Sequence, residues 1–295
     1  MKIGIAGTGR MGAAIASRLL ACKHEVTVWN RTRGRTDALA AAGASVAETP
    51  QELARRAEII ITMLTDAVAI DATYRGPRGL LAGEVRNKLF IDMSTVRPEV
   101  EEALAASVKE KGAALIECPV GGTVGPAKEG KLFGFVGGDA ADVERARPLL
   151  EAVCRRVEHV GPIGAGASVK LAINLPLLVY YQALGEALSL CRAVDIDPAR
   201  LIDIFADTSG GPNMLKTRGP AIAATLQGRE TMPVTFDVDL IRKDLRTMLE
   251  EARSLGVSLP LTAQALERYD EAARDGLGAK DATMLPAYWL RHSRA

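Results

Sequence analysis

Histidine is scarce in this chain: His24, His159 and His292 are the only three among 295 residues. His24 precedes an expected strand, His159 sits in an apolar segment and His292 lies in the C-terminal tail. None is a good candidate for acid–base work. Cysteine is nearly as rare. Cys22, Cys118, Cys154 and Cys191 are far apart in sequence, no pair is spaced Cys-x-x-Cys, and no group of Cys and His has zinc-ligand spacing. Reduced thiols in a cytoplasm, and no bound metal, are expected. None of the five tyrosines begins a Tyr-x-x-x-Lys. An excess of either charge is missing too: 37 Lys plus Arg face 36 Asp plus Glu. No net field therefore draws nucleic acid or an anionic membrane surface. No signal peptide is expected ahead of the first strand. The most apolar stretch, Leu171 to Gly185, contains Asn174, Pro176 and Gln182 and stops at Glu186. It is shorter than a bilayer requires and reads as a buried helix, so no membrane partner is expected.

What is present is an ordered alternation. With 48% hydrophobic residues the chain can bury a sizeable core, and its length suits one large domain or two ordinary ones. Lys2–Ala6, Glu25–Trp29, Glu58–Thr62, Leu89–Asp92, Ala113–Glu117 and Phe133–Val136 read as strands, most followed by stretches with helical spacing. That order predicts an α/β fold with a parallel sheet covered on both faces. Thr49-Pro50-Gln51-Glu52 signs a helix start: a capping hydroxyl, proline at the first helical position and a carboxylate three residues on. Past "GPIGAG", Gly161 to Gly166, the period is helical throughout. The expected division is therefore a Rossmann domain over 1–163 and an all-α domain over 164–295.

The first strand runs into Gly7-Thr8-Gly9-Arg10-Met11-Gly12, which opens a helix; the second strand ends at Trp29-Asn30, about 20 residues on. Gly7 permits the tight turn, Gly9 lets a pyrophosphate approach the backbone, and Gly12 allows helix and strand to pack closely. The helix N-terminus offers its amides to the anion. This is a dinucleotide site. At the end of the second strand an acidic residue would bind a ribose 2′-hydroxyl and repel a 2′-phosphate. Here stand Asn30, Arg31 and Thr32, with Arg33 and Arg35 behind. An amide, a guanidinium and a hydroxyl suit a phosphate monoester, so NADP is expected ahead of NAD.

With histidine, tyrosine and zinc set aside, lysine is left to handle a proton. Lys170 stands in "GASVKLAINLPLLVYY", where a charge costs free energy unless it is paired or used. Asn174 lies one helical turn on, so ammonium and amide can converge on one oxygen. The blander reading is a lysine whose stem lies on the core and whose head reaches solvent. Its place directly after the expected hinge favours the working role.

These motifs together resemble the β-hydroxyacid dehydrogenase family, over essentially the whole chain. Its members include 3-hydroxyisobutyrate dehydrogenases, tartronate semialdehyde reductases and glyoxylate or succinic semialdehyde reductases, all similar to 6-phosphogluconate dehydrogenase. The family's GxGxxG is Gly7 to Gly12, its NRT is Asn30 to Thr32, and its DMST is Asp92 to Thr95. Its DAPVSGG appears as Glu117-Cys118-Pro119-Val120-Gly121-Gly122-Thr123, its GxGxxxKxxxN as Gly164 to Asn174, and its FxxxLxxKDL as Phe236 to Leu245.

The resemblance implies that Lys170 exchanges a proton with the substrate oxygen while Asn174 helps to hold that oxygen. It further implies that Thr95 and Lys243 line the nicotinamide end, that Met63 and Leu64 cover part of the cofactor, and that Phe236 walls the cleft. Gly121, Gly122 and Thr123 would face a short carboxylic acid. Where the family has serine this chain has Gly121; Thr123 can supply a hydroxyl from two positions away, and the glycine amides can still face an anion. A homodimer or homotetramer is implied, and reduction of a short aldehyde or keto acid is the expected direction. An imine reductase on the same fold is the alternative; it normally lacks the lysine. A dinucleotide-binding module without turnover would lose that lysine and bring extra domains.

Overall fold

In the computed structural model, which describes residues 1–229 and 233–292, the β-rich runs of the N-terminal half become one nine-stranded sheet with strand order β3-β2-β1-β4-β5-β6-β8-β7 and β9 beside β8. In chain order the elements are β1 (Lys2–Ala6), α1 (Arg10–Ala21), β2 (Glu25–Trp29), α2 (Asp37–Ala41), β3 (Ser45–Val46), α3 (Pro50–Arg56), β4 (Ile59–Thr62), α4 (Ala67–Arg75), β5 (Leu89–Asp92), α5 (Pro98–Glu110) and β6 (Ala114–Glu117). There follow β7 (Val120–Gly121), α6 (Val124–Glu129), β8 (Leu132–Gly137), α7 (Ala140–Val153), β9 (Cys154–Gly161) and the long α8 (Ala165–Leu190). Contacts divide the chain into two compact units, Met1–Ala172 and Ile173–Ala295.

β1 to β6 pair in parallel, as expected from the alternation. Period-two burial divides their side chains between two cores. Ile3, Ile5, Ile59, Ile61, Leu89, Ile91 and Ile116 pack with α1 and α7 on one face. Ala6, Ile60, Phe90 and Leu115 pack with α3, α4 and α5 on the other. Because β1 lies between β2 and β4, the strand order reverses there, and the crevice at the carboxyl ends of β1 and β4 is a topological switch point. The cap at Thr49 forms as predicted: its hydroxyl accepts from the Glu52 amide at 3.1 Å, while the Glu52 carboxylate takes the Glu48 amide at 2.7 Å.

The parallel expectation fails beyond β6. β8 runs antiparallel to both β6 and β7, because the link through the short α6 does not make a crossover. β9, parallel to β8, has no continuous apolar run: Arg155, Arg156 and His159 are exposed along it, so its sequence does not read as a buried strand. β3 and β7 have two residues each, too few for a periodic signal.

α8 has 26 residues and contains Pro176 without being broken. By length and composition the whole helix is long and apolar enough to cross a membrane, a test that a core helix passes as well, so it is longer than the apolar stretch Leu171 to Gly185 expected from the sequence. The helix begins six residues before Leu171 and runs five past Gly185, to Leu190, and those added turns supply the length. In the second unit α9 (Pro198–Ala206), α10 (Asn213–Leu226), α11 (Val238–Ser254), α12 (Pro260–Ala272) and α13 (Leu285–His292) follow. Arg242 and Arg246 of α11 both bond Asp270 of α12 at 2.6 Å. The Tyr269 hydroxyl donates to the Leu178 carbonyl at 2.7 Å.

Candidate active site

The glycine-rich turn is shaped by three different steric demands. Gly7 has φ +97°, and a Cβ there would lie 2.3 Å from the Met63 carbonyl oxygen. A Cβ on Gly12 would lie 1.9 Å from the Gly7 oxygen, so only glycine lets α1 start so close to β1. Gly9, at the N-cap of α1, has open space around its Cβ position. The first turn of α1 carries no acidic residue and Arg10 begins it, so its amides present an electropositive end toward that space.

Asn30 has an internal task. Its Oδ1 accepts the Thr8 amide at 3.0 Å and its Nδ2 donates to the Thr32 carbonyl at 2.9 Å. The Thr8 hydroxyl donates to the Arg35 carbonyl at 3.2 Å. The end of β2 is thereby tied to the glycine turn, with Arg31 exposed and Thr32 beside it. Arg33 pairs with Glu48. On the neighbouring strand, the Met63 amide bonds the Ala6 carbonyl at 3.0 Å and the Leu64 amide bonds the Ser94 hydroxyl at 3.0 Å. Ser94, not singled out from the sequence, so orients the backbone after β4, and Thr95 follows it.

Next to the glycine turn the sheet's carboxyl edge is polar. Ala6, Thr62, Asp92, Glu117 and Gly137 stand in register across β1, β4, β5, β6 and β8. The three polar members are fully buried. The Thr62 hydroxyl bonds Asp92 and contacts the Tyr74 hydroxyl at 2.9 Å, and the Ser94 amide donates to Asp92 at 2.7 Å. Burial pushes the Asp92 carboxyl above its ordinary range. Burial, helped by Asp92 and Glu117, holds Glu101 of α5 well above its own. The Glu117 carboxyl is pushed up to about 7 by burial, against the opposing effect of the amides it accepts.

Beyond β6, Gly121 lies against Phe133 and Phe135, and Gly122 has φ +120°. Thr123 is the N-cap residue of α6 without bonding its amides through the side chain.

In α8 Lys170 and Asn174 are one turn apart, and both are buried, at 9% and 7% exposure. So little exposure leaves most of the lysine side chain out of solvent. Within the second unit the Asn174 Nδ2 donates to Asp244 Oδ2 at 3.3 Å, and the Lys243 ammonium pairs with Asp244 Oδ1 at 2.5 Å. Asp244, buried and not singled out from the sequence, thus bonds both a predicted substrate ligand and a predicted cofactor ligand. Phe236 is half-buried, with its amide bonded to Asp281 at 3.2 Å. Asp281 also takes the Thr235 and Thr283 amides and pairs with Arg218, which holds its carboxyl below the ordinary range despite burial. No group of three or more His, Cys, Asp or Glu able to hold a metal exists among the described residues.

Residues 2–161 match the NAD binding domain of 6-phosphogluconate dehydrogenase, and residues 164–289 match the NAD-binding family of NADP-dependent 3-hydroxyisobutyrate dehydrogenase. The chain is 34% identical to the 3-hydroxyisobutyrate dehydrogenase of Pseudomonas aeruginosa, covering 93% of this chain and 95% of that protein. It is 32% identical to glyoxylate/succinic semialdehyde reductase 1 of Arabidopsis thaliana, covering 95% and 96% respectively. The solved structure of Psf3 in complex with NADP+ and 2-OPP superposes with a TM-score of 0.86 at 30% identity over 97% of this chain and 99% of that one. A reductive aminase from Aspergillus terreus shares the fold alone, at 22% identity and a TM-score of 0.65 over 98% of this chain and 99% of that one.

Proposed function

Since the chain belongs to the β-hydroxyacid dehydrogenase family and is an NAD(P)-dependent oxidoreductase acting on CH–OH groups, we propose that it is an NADP-preferring reductase of a short aldehyde or keto acid, forming the hydroxy acid. The observation that carries this reading is a buried lysine one helical turn from a buried asparagine that is itself held by a buried aspartate.

In this reading residues 1–163 bind the dinucleotide and 164–295 supply the rest of the site. The amides of the Gly7–Gly12 turn take the pyrophosphate, while Arg31 and Thr32 take the 2′-phosphate. With Asn30 committed to the loop, the guanidinium is the main grip. The cofactor supplies the hydride. Lys170 holds a proton for the oxygen that gains negative charge, and Asn174 donates a hydrogen bond to the same oxygen. The Asn174 amide has two N–H groups, and Asp244 takes one. Thr95, Lys243, Met63 and Leu64 border the nicotinamide, Phe236 walls the substrate, and Gly121, Gly122 and Thr123 meet its carboxylate. The enzyme acts in the cytoplasm as a homodimer or homotetramer, with exposed Ile173 and Leu190 of α8 in the subunit contact.

A panel of short aldehydes, keto acids and cyclic imines, followed by absorbance loss with NADPH and with NADH, tests the proposal. Turnover of a keto acid or aldehyde, faster with NADPH, is expected; turnover of cyclic imines alone would favour the imine reductase reading and end this one.

A further inference from the structure

We propose that Glu117 is a positioning residue of this reaction: its buried carboxylate clamps the first turn of α8, fixes where Lys170 stands, and releases part of that hold when it takes up a proton. The inference rests on the role given above to Lys170. Glu117 ends β6, and its two oxygens take the amides of Gly166 at 2.8 Å and Ala167 at 3.0 Å. These are amides of a helix N-terminus with no partner of their own inside the helix. Gly166 is four residues before Lys170, so the clamp holds the turn from which the lysine projects.

Two glycines make room for the clamp. A Cβ on Gly137 would lie 2.2 Å from Glu117 Oε1, and one on Gly166 would lie 3.2 Å from its carboxyl carbon. The carboxyl is therefore enclosed by backbone from β8 and from α8. A shorter acid in this place would have to close the gap, whereas glutamate spans it.

The groups facing Glu117 explain why a proton matters. From β5 comes Asp92, from α5 Glu101, and from its own strand end the Cys118 thiol beside Cys154 at the start of β9. β8 contributes Gly137 and no titratable side chain to the row. α8 contributes the amides of Gly166 and Ala167, and the residue before it that of Gly164. Three acids thus share one dry region. Burial, Asp92 and Glu117 all act against a charge on Glu101 and hold its carboxyl well above the ordinary range. Glu117 is the member that titrates near neutrality, pushed up to about 7. As an anion it accepts both amides strongly. Once protonated it keeps one good acceptor oxygen and holds the turn less tightly.

The test reads the helix directly before it reads turnover. Amide exchange of residues 165–170, corrected for the intrinsic rate, is measured between pH 6 and 8 in the unmodified protein. Protection of Gly166 and Ala167 is expected to rise several-fold with pH, and Glu117→Gln is expected to make it flat. Equal protection at both ends of the range, or the same pH dependence in E117Q, overturns the proposal whether or not a substrate is known. With a substrate in hand, E117Q is expected to lower kcat at least tenfold at pH 8 with the NADPH KM unchanged. It should also remove an inflection near pH 7 from the kcat profile. Parental kcat in E117Q overturns the proposal, as does a loss confined to KM. Should E117Q not fold, the exchange measurement on the unmodified protein still decides. Failure of the Lys170 reading is seen separately, as a Lys170→Ala variant with full turnover.

Discussion

At the level of single residues, the chemistry rests on a few buried polar groups among apolar neighbours. Lys170 is the clearest from sequence, because one amine in a long apolar stretch needs an explanation. Replacing it with alanine is expected to lower kcat by about 10²- to 10⁴-fold, the usual worth of a positioned acid or base, with NADPH affinity kept. Stopped-flow turnover beside a cofactor fluorescence titration checks this. Arg31→Ala is expected to raise the KM for NADPH about tenfold or more and to leave the KM for NADH nearly unchanged, since in the proposed reading the guanidinium meets the 2′-phosphate alone. Equal loss with both cofactors would place Arg31 elsewhere. Asp244 and Glu117 are a different kind of residue. Each has an unremarkable sequence context, and each gains its importance from a partner 70 or about 50 positions away. Cys118 and Cys154, far apart in sequence, likewise meet around Gly134, whose Cβ would lie 2.9 Å from one sulfur and 3.4 Å from the other.

Elements carry the site through their ends. β1, β4, β5 and β6 finish on one edge, and each end hands over to a turn of the candidate site: Gly7, Met63, Met93 and Cys118 follow directly. α1 can start beside β1 only because its third residue is glycine. Gly12→Ala, with its Cβ 1.9 Å from the Gly7 oxygen, is expected to push α1 off the strand. A Tm lower by several degrees and loss of measurable NADPH binding are the outcomes to look for; an unchanged Tm with normal binding would contradict the close packing of α1 and β1. Elements with strong local signals were legible in advance: the Thr49 cap, the glycine turn and the six strands with apolar cores. β9 was not, because its exposed arginines and histidine interrupt the pattern that marks a strand, and its pairing with β8 is a property of two distant segments.

For the molecule as a whole, the buried acids make stability depend on pH in an unusual direction. Glu117 has its folded pKa near 7, above an ordinary value of 4.5: burial outweighs the amide bonds, which by themselves favour the anion, so the fold as a whole prefers it protonated even though the clamp on α8 is tighter with the anion. Its contribution is complete below about 4.5 and is lost as pH rises through about 7, on the order of 3 kcal/mol at ~1.4 kcal/mol for each tenfold change in proton affinity. Asp92 and Glu101 shift the same way, whereas Asp281, lowered, contributes above its unfolded pKa and is lost in acid. Urea unfolding midpoints are therefore expected to fall between pH 6 and 8.5, and E117Q to flatten that slope; a midpoint that climbs with pH would contradict the burial of these carboxyls. By itself the sequence determined the α/β class and the family, and it put forward the glycine turn and the lysine as the proposed site, because each is written in neighbouring residues or in a short fixed spacing. Only the tertiary structure decided that β8 turns antiparallel, that Asn30 serves the loop, and that Thr62, Asp92 and Glu117 stand side by side. Strand register brings together residues that no local pattern relates, and the energy of a buried acid exists only once its neighbours have closed around it.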